Sequence, residues 1–529
     1  MPTLEWIGKD KVINHHQEVP FRVLERRYSY DEAGQHDEDN GSENMIIRGD
    51  NLEALKALLP RYEGRVKCIY IDPPYNTGNE GWVYNDNVND PRIKKWLGEV
   101  VGKEGEDLTR HDKWLCMMYP RLKLLQKLLS EDGAIFISIG DDENASLKLI
   151  CNEIFGESNF VDTIIWQKIY TVKNSAQFFS GMHDYIVVYS KRKDLYKRNL
   201  FPRTQELDST YSNPDNDPRG PWTTNAVQAR NFYAHGKYEI RSPGGKVFLP
   251  PAGTYWRVSQ EHFLELDADN RVWWGQDGNS VPRIKKFLSE AKQGVVPTTL
   301  WSYKEAGQNA DAKQEIRGIF HDSDNVFPTP KPSRLIERIL QVSSDKDSII
   351  LDSFAGSGTT AHAVLNMNKA DGGHRKFILV EMMDYADSIT AERVKRVIQG
   401  YGEGKKVVEG TGGSFSFYDL GEPLLVGDCL NESVGPEKIR EYVWFMETRA
   451  PYAPATGENS YYLGTCNDTG YYFYYEPEQV TVLDYPFLST ITEKSGSTVI
   501  YADRCSIGAD KLAQMGIVFK KIPRDISRL

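Results

Sequence analysis

The sequence lacks the apolar segments that would place a chain across a membrane. No uninterrupted apolar run approaches the roughly 20 residues that a spanning helix needs. The first residues, MPTLEWIGKDKVINHHQ, do not have the basic and then apolar pattern of a secretion signal. We therefore expect a cytoplasmic protein.

Cysteine is scarce and scattered. The six cysteines are Cys68, Cys116, Cys151, Cys429, Cys466 and Cys505. No two of them form a CxxC pair, so we expect neither a zinc site nor a redox centre. The adjacent residues His15 and His16 have no third ligand nearby in the sequence. We accordingly expect no metal.

An excess of positive charge is also missing. The chain has 64 Lys and Arg against 75 Asp and Glu, which gives a formal net charge of −11 at pH 7. Phosphate binding requires clustered Lys and Arg, so the average charge argues against a nucleic-acid partner. The basic clusters at residues 121–127 and 191–199, taken alone, are most simply solvated faces. A partner therefore has to be inferred from specific motifs.

What the sequence does contain is a set of short β-type runs that end in acids. With 529 residues the chain is expected to form two or three domains. The runs are NMIIRGDN, KCIYIDPPY, GAIFISIGDDE, SIILDSFAGSG and KFILVEMMD, and helical patterns lie between them. This alternation predicts an α/β fold with a doubly wound, mostly parallel sheet. The acids expected at its carboxyl edge are Asp50, Asp72, Asp141, Asp352 and Glu381.

The run VKCIYIDPPY ends in an acid, two prolines and an aromatic ring, namely Asp72, Pro73, Pro74 and Tyr75. Strand termination explains the prolines, because proline cannot donate to a ladder. It does not explain the acid and the ring. At the ligand-binding edge of an α/β sheet, the tetrapeptide would form a rigid rim with one acceptor and one stacking surface.

A glycine-rich turn, DSFAGSGTTAHAVL, follows a second strand and opens a helix. Glu381 lies 23 residues beyond Gly358, at the end of the next strand, where an acid can hold ribose hydroxyls. With Ala361 at the third small position the turn fits the dinucleotide pattern as well. The glycines alone therefore leave open a nicotinamide enzyme, another enzyme with an adenosine ligand, or a plain tight turn.

Between the two halves lies an irregular segment, about residues 200–325, that we expect to be an inserted domain with its own small core. It is rich in Pro, Gly and Asn. Its tryptophans are Trp222, Trp256, Trp273, Trp274 and Trp301. It has 15 Lys and Arg against 16 Asp and Glu, so it is not expected to bind polyanions generally.

DPPY upstream of FAGSG, with a variable segment between them, resembles the β-class amino-methyltransferases of DNA. Further matches are GDNLEALKALL, HDYIVVYSK and FPTPKPSRLIERIL. The layout is most similar to the modification (Mod) subunit of type III restriction systems, and the resemblance covers about residues 1–425. It implies a circularly permuted, Rossmann-like methyltransferase sheet. The expected parts are an N-terminal arm and acidic loop (1–44), a catalytic half (45–199), a target-recognition domain (200–325), a cofactor half (326–400) and a small C-terminal α+β domain (401–529).

The cofactor that the resemblance implies is S-adenosylmethionine. The implied cofactor-binding residues are Asp50, Asn51, Lys331, Asp352, Phe354, Gly356, Gly358, Thr359 and Glu381. Glu381 would take the ribose hydroxyls and Asp50 the adenine amino group. Lys331 would lie near the cofactor carboxylate, although a surface lysine beside a turn is an equally good interpretation.

The implied reaction is methylation of the N6 amine of adenine in double-stranded DNA. Asp72 and the Pro73 carbonyl would accept the two N–H bonds of the amine, and Tyr75 would stack on the extruded base. No cysteine follows a proline, which argues against enzymes that methylate the cytosine ring carbon. Cytosine-N4 methylation and a non-catalytic DNA-recognition subunit remain alternatives.

The expected partners are DNA, a second copy of the chain and a restriction subunit. The role of residues 426–529 stays open.

Overall fold

The structure is a computed structural model that describes residues 3–77, 109–292, 294–323, 326–450, 452–453 and 459–524, with the isolated positions 95, 98 and 99. The chain forms two compact units. The larger unit is Met1–Asn199 with Thr298–Leu529, and the smaller, called the insert, is Leu200–Pro297.

The first part of the larger unit supplies seven strands of its main sheet. The strands are β1 (Arg22–Asp31), β2 (Gly34–His36), β3 (Met45–Arg48), β4 (Val66–Ile71), β5 (Leu129–Ile139), β6 (Phe160–Gln167) and β7 (His183–Ser190). The helices here are Lys9–Val12, His15–Glu18, Asn51–Tyr62, Arg110–Leu128, Asp141–Phe155 and the 3-10 turn Glu157–Asn159.

The insert is built from short strands around an aromatic core. Its strands are β8 (Trp222–Ala226), β9 (Gln228–Ala229), β10 (Ile240–Arg241), β11 (Val247–Phe248), β12 (Tyr255–Trp256), β13 (Val272–Trp273) and β14 (Arg283–Phe287). Its helices are Gln205–Asp208, Gln260–Ala268 and the 3-10 turn Leu288–Glu290. β14 pairs antiparallel with both β13 and β8. The core contains Val227, Ile240, Trp256, Phe263, Val272 and Trp274.

After the insert the chain returns to the larger unit. The strands are β15 (Leu300–Trp301), β16 (Ile349–Asp352), β17 (Lys376–Glu381), β18 (Gly400–Tyr401), β19 (Val408–Glu409), β20 (Phe415–Pro423), β21 (Leu425–Val426) and β22 (Cys429–Leu430). The helices are Tyr303–Ala306, Asn309–Ile319, Ser333–Ser343, Thr359–Asp371, the π-helix Ala386–Ala391, Glu392–Gln399 and the 3-10 turn Gly404–Lys406.

The C-terminal segment adds a second, smaller sheet. Its strands are β23 (Tyr462–Cys466), β24 (Thr469–Phe473), β25 (Val482–Leu483), β26 (Ser497–Ala502), β27 (Arg504–Cys505) and β28 (Ile517–Lys521), with helices Pro436–Thr448, Tyr485–Leu488 and Ala509–Gln514. The order β23-β24-β26-β28 forms one sheet, and β25 pairs with β27. This combination of helices and strands is the α+β arrangement expected for the segment.

The main sheet has eleven strands in the order β15-β6-β7-β5-β4-β16-β17-β3-β20-β1-β2. The five predicted strands β5, β4, β16, β17 and β3 are consecutive and parallel. β7 is antiparallel to β5 and β6 on one side, and β1 is antiparallel to β20 on the other. The predicted α/β, doubly wound, mostly parallel sheet is thus confirmed.

The central strands are apolar because both faces of the sheet are covered. Five of the six residues of β4 are buried, and so are the last seven residues of β5. The core packed against them includes Trp114 and Leu122 from the long helix Arg110–Leu128. This packing fixes the position of β4, and with it the tetrapeptide that follows.

In the described part of the chain no helix is long and apolar enough to cross a membrane.

Three boundaries differ from the expected division. Residues 1–44 are not a separate arm, because β1 pairs with β20 and extends the main sheet. Since β20 itself pairs with β3, the segment expected to start a C-terminal domain at residue 401 still contributes to the sheet. The insert ends at Pro297 rather than at residue 325, because β15 pairs with β6. Trp301 therefore belongs to the larger unit.

Candidate active site

Asp72 follows β4 at the carboxyl edge of the sheet and is buried. Its Oδ2 accepts a hydrogen bond from Nζ of Lys331 at 2.5 Å. Its Oδ1 is also buried and has no hydrogen-bond partner among the described residues. A buried polar atom without a partner is costly, so this oxygen is a ready acceptor for an N–H group of a ligand.

The ammonium of Lys331 pairs with Asp72, a contact that the sequence did not predict. Its expected position near the cofactor carboxylate stays a prediction. The same ammonium lies 5.0 Å from the centre of the Tyr75 ring, within cation–π range. Lys331 thus contacts both the acid and the ring of the tetrapeptide.

Residues of two neighbouring helices hold the tetrapeptide and the asparagine that follows it. The carbonyl of Pro74 accepts a hydrogen bond from Nε1 of Trp114 at 2.7 Å. Asn76 has a φ of +56° and donates from its side chain to Oε1 of the buried Glu143 at 2.5 Å. A Cβ added at Gly140 would lie 3.2 Å from the Tyr75 ring, so only a small residue fits there. These contacts hold the tetrapeptide and Asn76 against neighbouring helices of the larger unit.

Tyr75 offers its ring rather than its hydroxyl. The residue is part-exposed, whereas its Oη is buried beside the Asp72 carboxylate. Burial raises the pKa of the phenol well above its usual value, and the nearby charges of Asp72 and Asp184 raise it further. The phenol stays neutral at physiological pH, so the ring is suited to stacking.

A cavity of about 400 Å³ lies at this edge of the sheet. Its lining residues are Asp72, Pro73, Tyr75, Thr77, Lys168, Lys173, Asp184, Asn309, Lys313, Pro328, Thr329, Pro330 and Lys331. The volume lies within the range of small-molecule sites. The cavity combines one aromatic ring, prolines, two acids and four lysines, which suits a planar, polar group attached to an anionic chain.

Sequence reasoning missed Asp184 and Lys168. Asp184 is the second residue of β7, which is antiparallel to β5. The first residues of β7, including Asp184, therefore lie at the carboxyl edge of the parallel strands. Oδ1 of Asp184 accepts from Nζ of Lys168 at 2.5 Å. Burial raises the pKa of Asp184, and the charges of Lys168 and Lys331 oppose that rise. The signal was an acid at the start, not the end, of a β-type run.

The glycine-rich turn lies between β16 and helix Thr359–Asp371. Gly356 and Gly358 have φ values of +52° and +79°, in the left-handed region that favours glycine. A Cβ on Gly358 would lie 2.9 Å from the carbonyl oxygen of Thr390, and one on Gly356 would lie 3.3 Å from the Phe327 ring. The structure thus requires glycine at both predicted positions.

Two buried acids support this turn. Asp352 accepts from the backbone N–H of Phe354 at 3.0 Å and from the Thr360 hydroxyl at 2.5 Å. Glu381 accepts from the N–H groups of Gly356 at 2.8 Å and Met383 at 3.0 Å. Burial raises the pKa of each carboxyl to about 7, although these hydrogen bonds favour the charged form.

Thr359 connects the turn to the Lys331 segment. Its hydroxyl donates to the Lys331 carbonyl at 3.2 Å and accepts from the buried guanidinium of Arg393 at 2.8 Å. Arg393 in turn pairs with Glu315 at 3.0 Å. The Thr359 hydroxyl therefore joins the glycine-rich turn to the backbone of the residue whose ammonium pairs with Asp72.

Asp50 and Asn51 lie at the next strand end. Oδ1 of Asp50 caps helix Asn51–Tyr62 by accepting from two backbone N–H groups, and Oδ2 lies 3.3 Å from Arg121. The Asn51 side chain accepts from Arg121 and donates to the Ser353 carbonyl at 3.3 Å, just after β16. Both predicted residues thus have structural contacts that place them beside the glycine-rich turn.

Comparison with known proteins bears on what this edge does. Residues 66–392, more than half of the chain, match a family described as DNA methylase. The chain belongs to the DNA methylase family. The matched range begins with β4 and ends after Glu381, so it spans the tetrapeptide, the insert and the glycine-rich turn.

Individual relatives agree with the predicted resemblance. The chain is 35% identical over 421 residues to the type III restriction-modification enzyme StyLTI Mod subunit of Salmonella typhimurium, covering 74% of this chain and 62% of that protein. It is 32% identical over 370 residues to the type II methyltransferase M.KpnI of Klebsiella pneumoniae, covering 65% and 81%. A solved structure of a DNA modification methylase of Thermus thermophilus, complexed with S-adenosyl-L-methionine, has a TM-score of 0.33 at 15% identity and covers 71% of this chain and 99% of that one. The chain spans about three fifths of the length of the Salmonella relative.

Proposed function

We propose that this chain transfers the methyl group of S-adenosylmethionine to the exocyclic N6 amine of adenine in double-stranded DNA. The observation that carries the proposal is the buried Oδ1 of Asp72, which has no partner among the described residues and belongs to a cavity beside Tyr75. Membership of the DNA methylase family supports it, as does the similarity to a type III Mod subunit.

Asp72 and Pro73 act on the amine. The lone pair of an exocyclic amine is delocalised into the base ring, which makes the nitrogen a poor nucleophile. Hydrogen bonds from its two N–H groups to Asp72 and to the Pro73 carbonyl favour a tetrahedral nitrogen and orient its lone pair. Lys331 fixes Oδ2 of the same carboxylate and leaves Oδ1 for the amine. Proximity then contributes much of the rate.

Tyr75 receives the base. A base in a duplex has to leave the stack before an enzyme reaches its exocyclic amine, and the flipped base stacks on an aromatic side chain. The Tyr75 ring lines the cavity together with Pro73 and Asp72. Base–aromatic stacking contributes about 1–3 kcal/mol, a useful part of the cost of extrusion.

The residues at the glycine-rich turn fit S-adenosylmethionine, which supplies an activated methyl group on its sulfonium. A side chain at Gly356 would meet the Phe327 ring and one at Gly358 the Thr390 carbonyl, so glycine at both positions keeps the turn in the shape that we propose for cofactor binding. Glu381 accepts from the N–H groups of Gly356 and Met383 at the end of β17, and we propose that it also accepts from the ribose hydroxyls. Asp50 would accept the adenine amino group. The other predicted cofactor-binding residues shape the turn or lie beside it, namely Asn51, Asp352, Phe354 and Thr359.

The insert is proposed as the part that reads the DNA sequence, and the larger unit as the catalytic part. Its near-neutral charge and its aromatic core suit a small scaffold that presents polar side chains to base edges. Association with a restriction subunit, and pairing with a second copy of the chain, are part of the same proposal. Copurification and the mass of the free protein in solution test these two partners.

The deciding experiment identifies the methylated nucleoside. The purified chain is incubated with methyl-labelled S-adenosylmethionine and mixed genomic DNA, and the DNA is then digested to nucleosides. Label in N6-methyladenine is the expected result. Label in N4-methylcytosine would favour the other amine, and cofactor binding without transfer would favour a recognition subunit. Binding of a nicotinamide cofactor instead would contradict the proposal.

A further inference from the structure

The loop between β6 and β7 carries two phenylalanines that nothing in the described structure covers. Phe178 is 83% exposed and Phe179 is 96% exposed, the highest values among the large apolar side chains that the structure describes. Single exposed apolar residues are common, but two adjacent and largely exposed rings indicate a binding surface.

The base of this loop borders the candidate active site. At its base, the backbone N–H groups of Lys168 and Ile169 donate to the carbonyl of Met182. Lys168 pairs with Asp184, and both line the cavity next to Asp72. The two phenylalanines therefore lie on the hairpin that forms one wall of the site.

Further contacts hold the loop in shape near its tip. The N–H of Lys173 donates to the Ser180 hydroxyl at 2.9 Å, which joins the two sides of the loop, and Lys173 also lines the cavity. On the other side the rings of Tyr170 and Tyr303 are 4.8 Å apart. The loop is thus tied to the rim of the cavity, with its phenylalanines in the short segment between Lys173 and Ser180.

We propose that Phe178 and Phe179 enter the DNA base stack at the position that the extruded base leaves. This inference rests on the proposed function, because it assigns a residue pair to the extrusion step. Apolar side chains inserted between base steps are a common device of proteins that deform duplex DNA. An apolar wedge beside the base pocket would replace the stacking that the neighbouring bases lose.

The surroundings of the two rings fit DNA better than a protein surface. The core of a protein interface is typically depleted of charge and apolar over a wide area. Here Asn174, Ser175 and Gln177, which precede the rings, are polar and exposed. Tyr170 and Val172 of the same loop are exposed as well. Lys173 is close by and suits the phosphate backbone. Two adjacent rings preceded by polar residues have the narrow form of a wedge.

Substitution of both rings tests the proposal. The double variant Phe178→Ser/Phe179→Ser removes the wedge, and Phe178→Leu/Phe179→Leu retains an apolar one. Tyr485→Ser, at another exposed aromatic residue of the larger unit, is the matched control. Each protein is given a duplex that contains the mapped target sequence, and the same duplex with a mismatch opposite the target adenine.

The serine variant is expected to methylate the matched duplex about tenfold or more slowly than wild type, the loss that follows from stacking of this size. It should methylate the mismatched duplex at close to the wild-type rate, because a mismatched base is already easy to extrude. The leucine variant and the control should resemble wild type. With 2-aminopurine at the target position, the serine variant should show a smaller rise in fluorescence on binding.

Three results would overturn the wedge while the proposed function stands: an unchanged rate on the matched duplex, an equal loss on both duplexes, or a loss explained by dissociation of a dimer in the serine variant. The last result would assign the rings to a protein interface. Wild-type protein that binds S-adenosylmethionine but methylates neither duplex would instead overturn the proposed function, and the wedge with it.

Discussion

Lys331 and Asp72 are 259 residues apart in sequence, and their side chains form an ion pair of 2.5 Å at the carboxyl edge of the main sheet. Both side chains are largely buried. The pair joins the tetrapeptide after β4 to the segment that precedes helix Ser333–Ser343. Because the Lys331 carbonyl also accepts from Thr359, the same residue connects Asp72 to the glycine-rich turn.

Replacement of Lys331 by Met should lower both stability and methyl transfer. It leaves the Asp72 carboxylate buried without its cation, and breaking a buried pair in this way costs about 3 kcal/mol. Urea unfolding measures the first effect, and labelled methyl transfer measures the second. The double variant Lys331→Met/Asp72→Asn should regain most of the stability, to within about 1 kcal/mol of wild type, but not the activity. Equal stabilities of Lys331→Met and wild type would contradict the structural role of the pair.

The part of the site that could be predicted from the sequence is the part made by the ends of parallel strands. β3, β4, β16 and β17 are apolar runs with an acid at the strand end or within two residues of it, and their order in the sheet brings Asp72 and the glycine-rich turn to one edge. That pattern is local, so it is visible in the sequence.

What could not be predicted depends on contacts between distant segments. Asp184 reaches the edge only because β7 is antiparallel, which the composition of the strand does not reveal. The pairing of Lys331 with Asp72 depends on how the segment after the insert returns to the sheet. The end of the insert could not be predicted either, because the strand that follows it, β15, is only two residues long and gives no clear β-type pattern.

Gly356→Val should abolish cofactor binding. The φ of Gly356 is +52°, a conformation that any side chain strains, and its N–H donates to Glu381. A Cβ there would also lie 3.3 Å from the Phe327 ring, so valine at this position distorts the turn. Titration with S-adenosylmethionine measures the loss of affinity. Gly372→Ala is the control, because its φ of +65° is strained by any side chain while its surroundings are open. Cofactor affinity that is equal in Gly356→Val and wild type would mean that the turn has only a structural role.

Asp352→Asn should stabilise the protein increasingly as the pH rises. Burial, with smaller contributions from Asp72 and Glu381, raises the pKa of Asp352 from 3.8 to about 7. The folded chain therefore keeps a proton that the unfolded chain releases between about pH 4 and pH 7, and wild type loses stability as the pH rises through that range. An asparagine does not titrate, and its amide still accepts from Phe354.

The advantage of Asp352→Asn over wild type should grow by about 2–3 kcal/mol between pH 5 and pH 8. Urea unfolding at the two pH values measures it. Asp347→Asn, which removes an exposed carboxylate of the preceding turn, is the control for the loss of one acid. A stability difference between Asp352→Asn and wild type that stays constant with pH would show that Asp352 does not carry this proton.

Exchange of the insert should change the sequence that is methylated but not the chemistry. The structural boundaries, Leu200 and Pro297, define the segment to exchange with that of a related methylase. We expect the chimera to mark new sites and to modify the same atom of adenine. Sequencing that detects methylated bases maps the sites. An active chimera that still marks the original sites would place recognition elsewhere in the chain.

The most direct test of the proposed chemistry is Asp72→Ala, measured for cofactor affinity and for methyl transfer in parallel. The substitution removes the acceptor oxygen at the cavity and also breaks the pair with Lys331, so urea unfolding is measured alongside; Asp72 makes no hydrogen bond to the glycine-rich turn or to Glu381 that could hold the cofactor. The variant is therefore expected to bind S-adenosylmethionine within a few-fold of wild type and to transfer no detectable methyl group to DNA. Near-normal methyl transfer by Asp72→Ala would contradict the proposed role of Asp72 and, with it, the proposed mechanism.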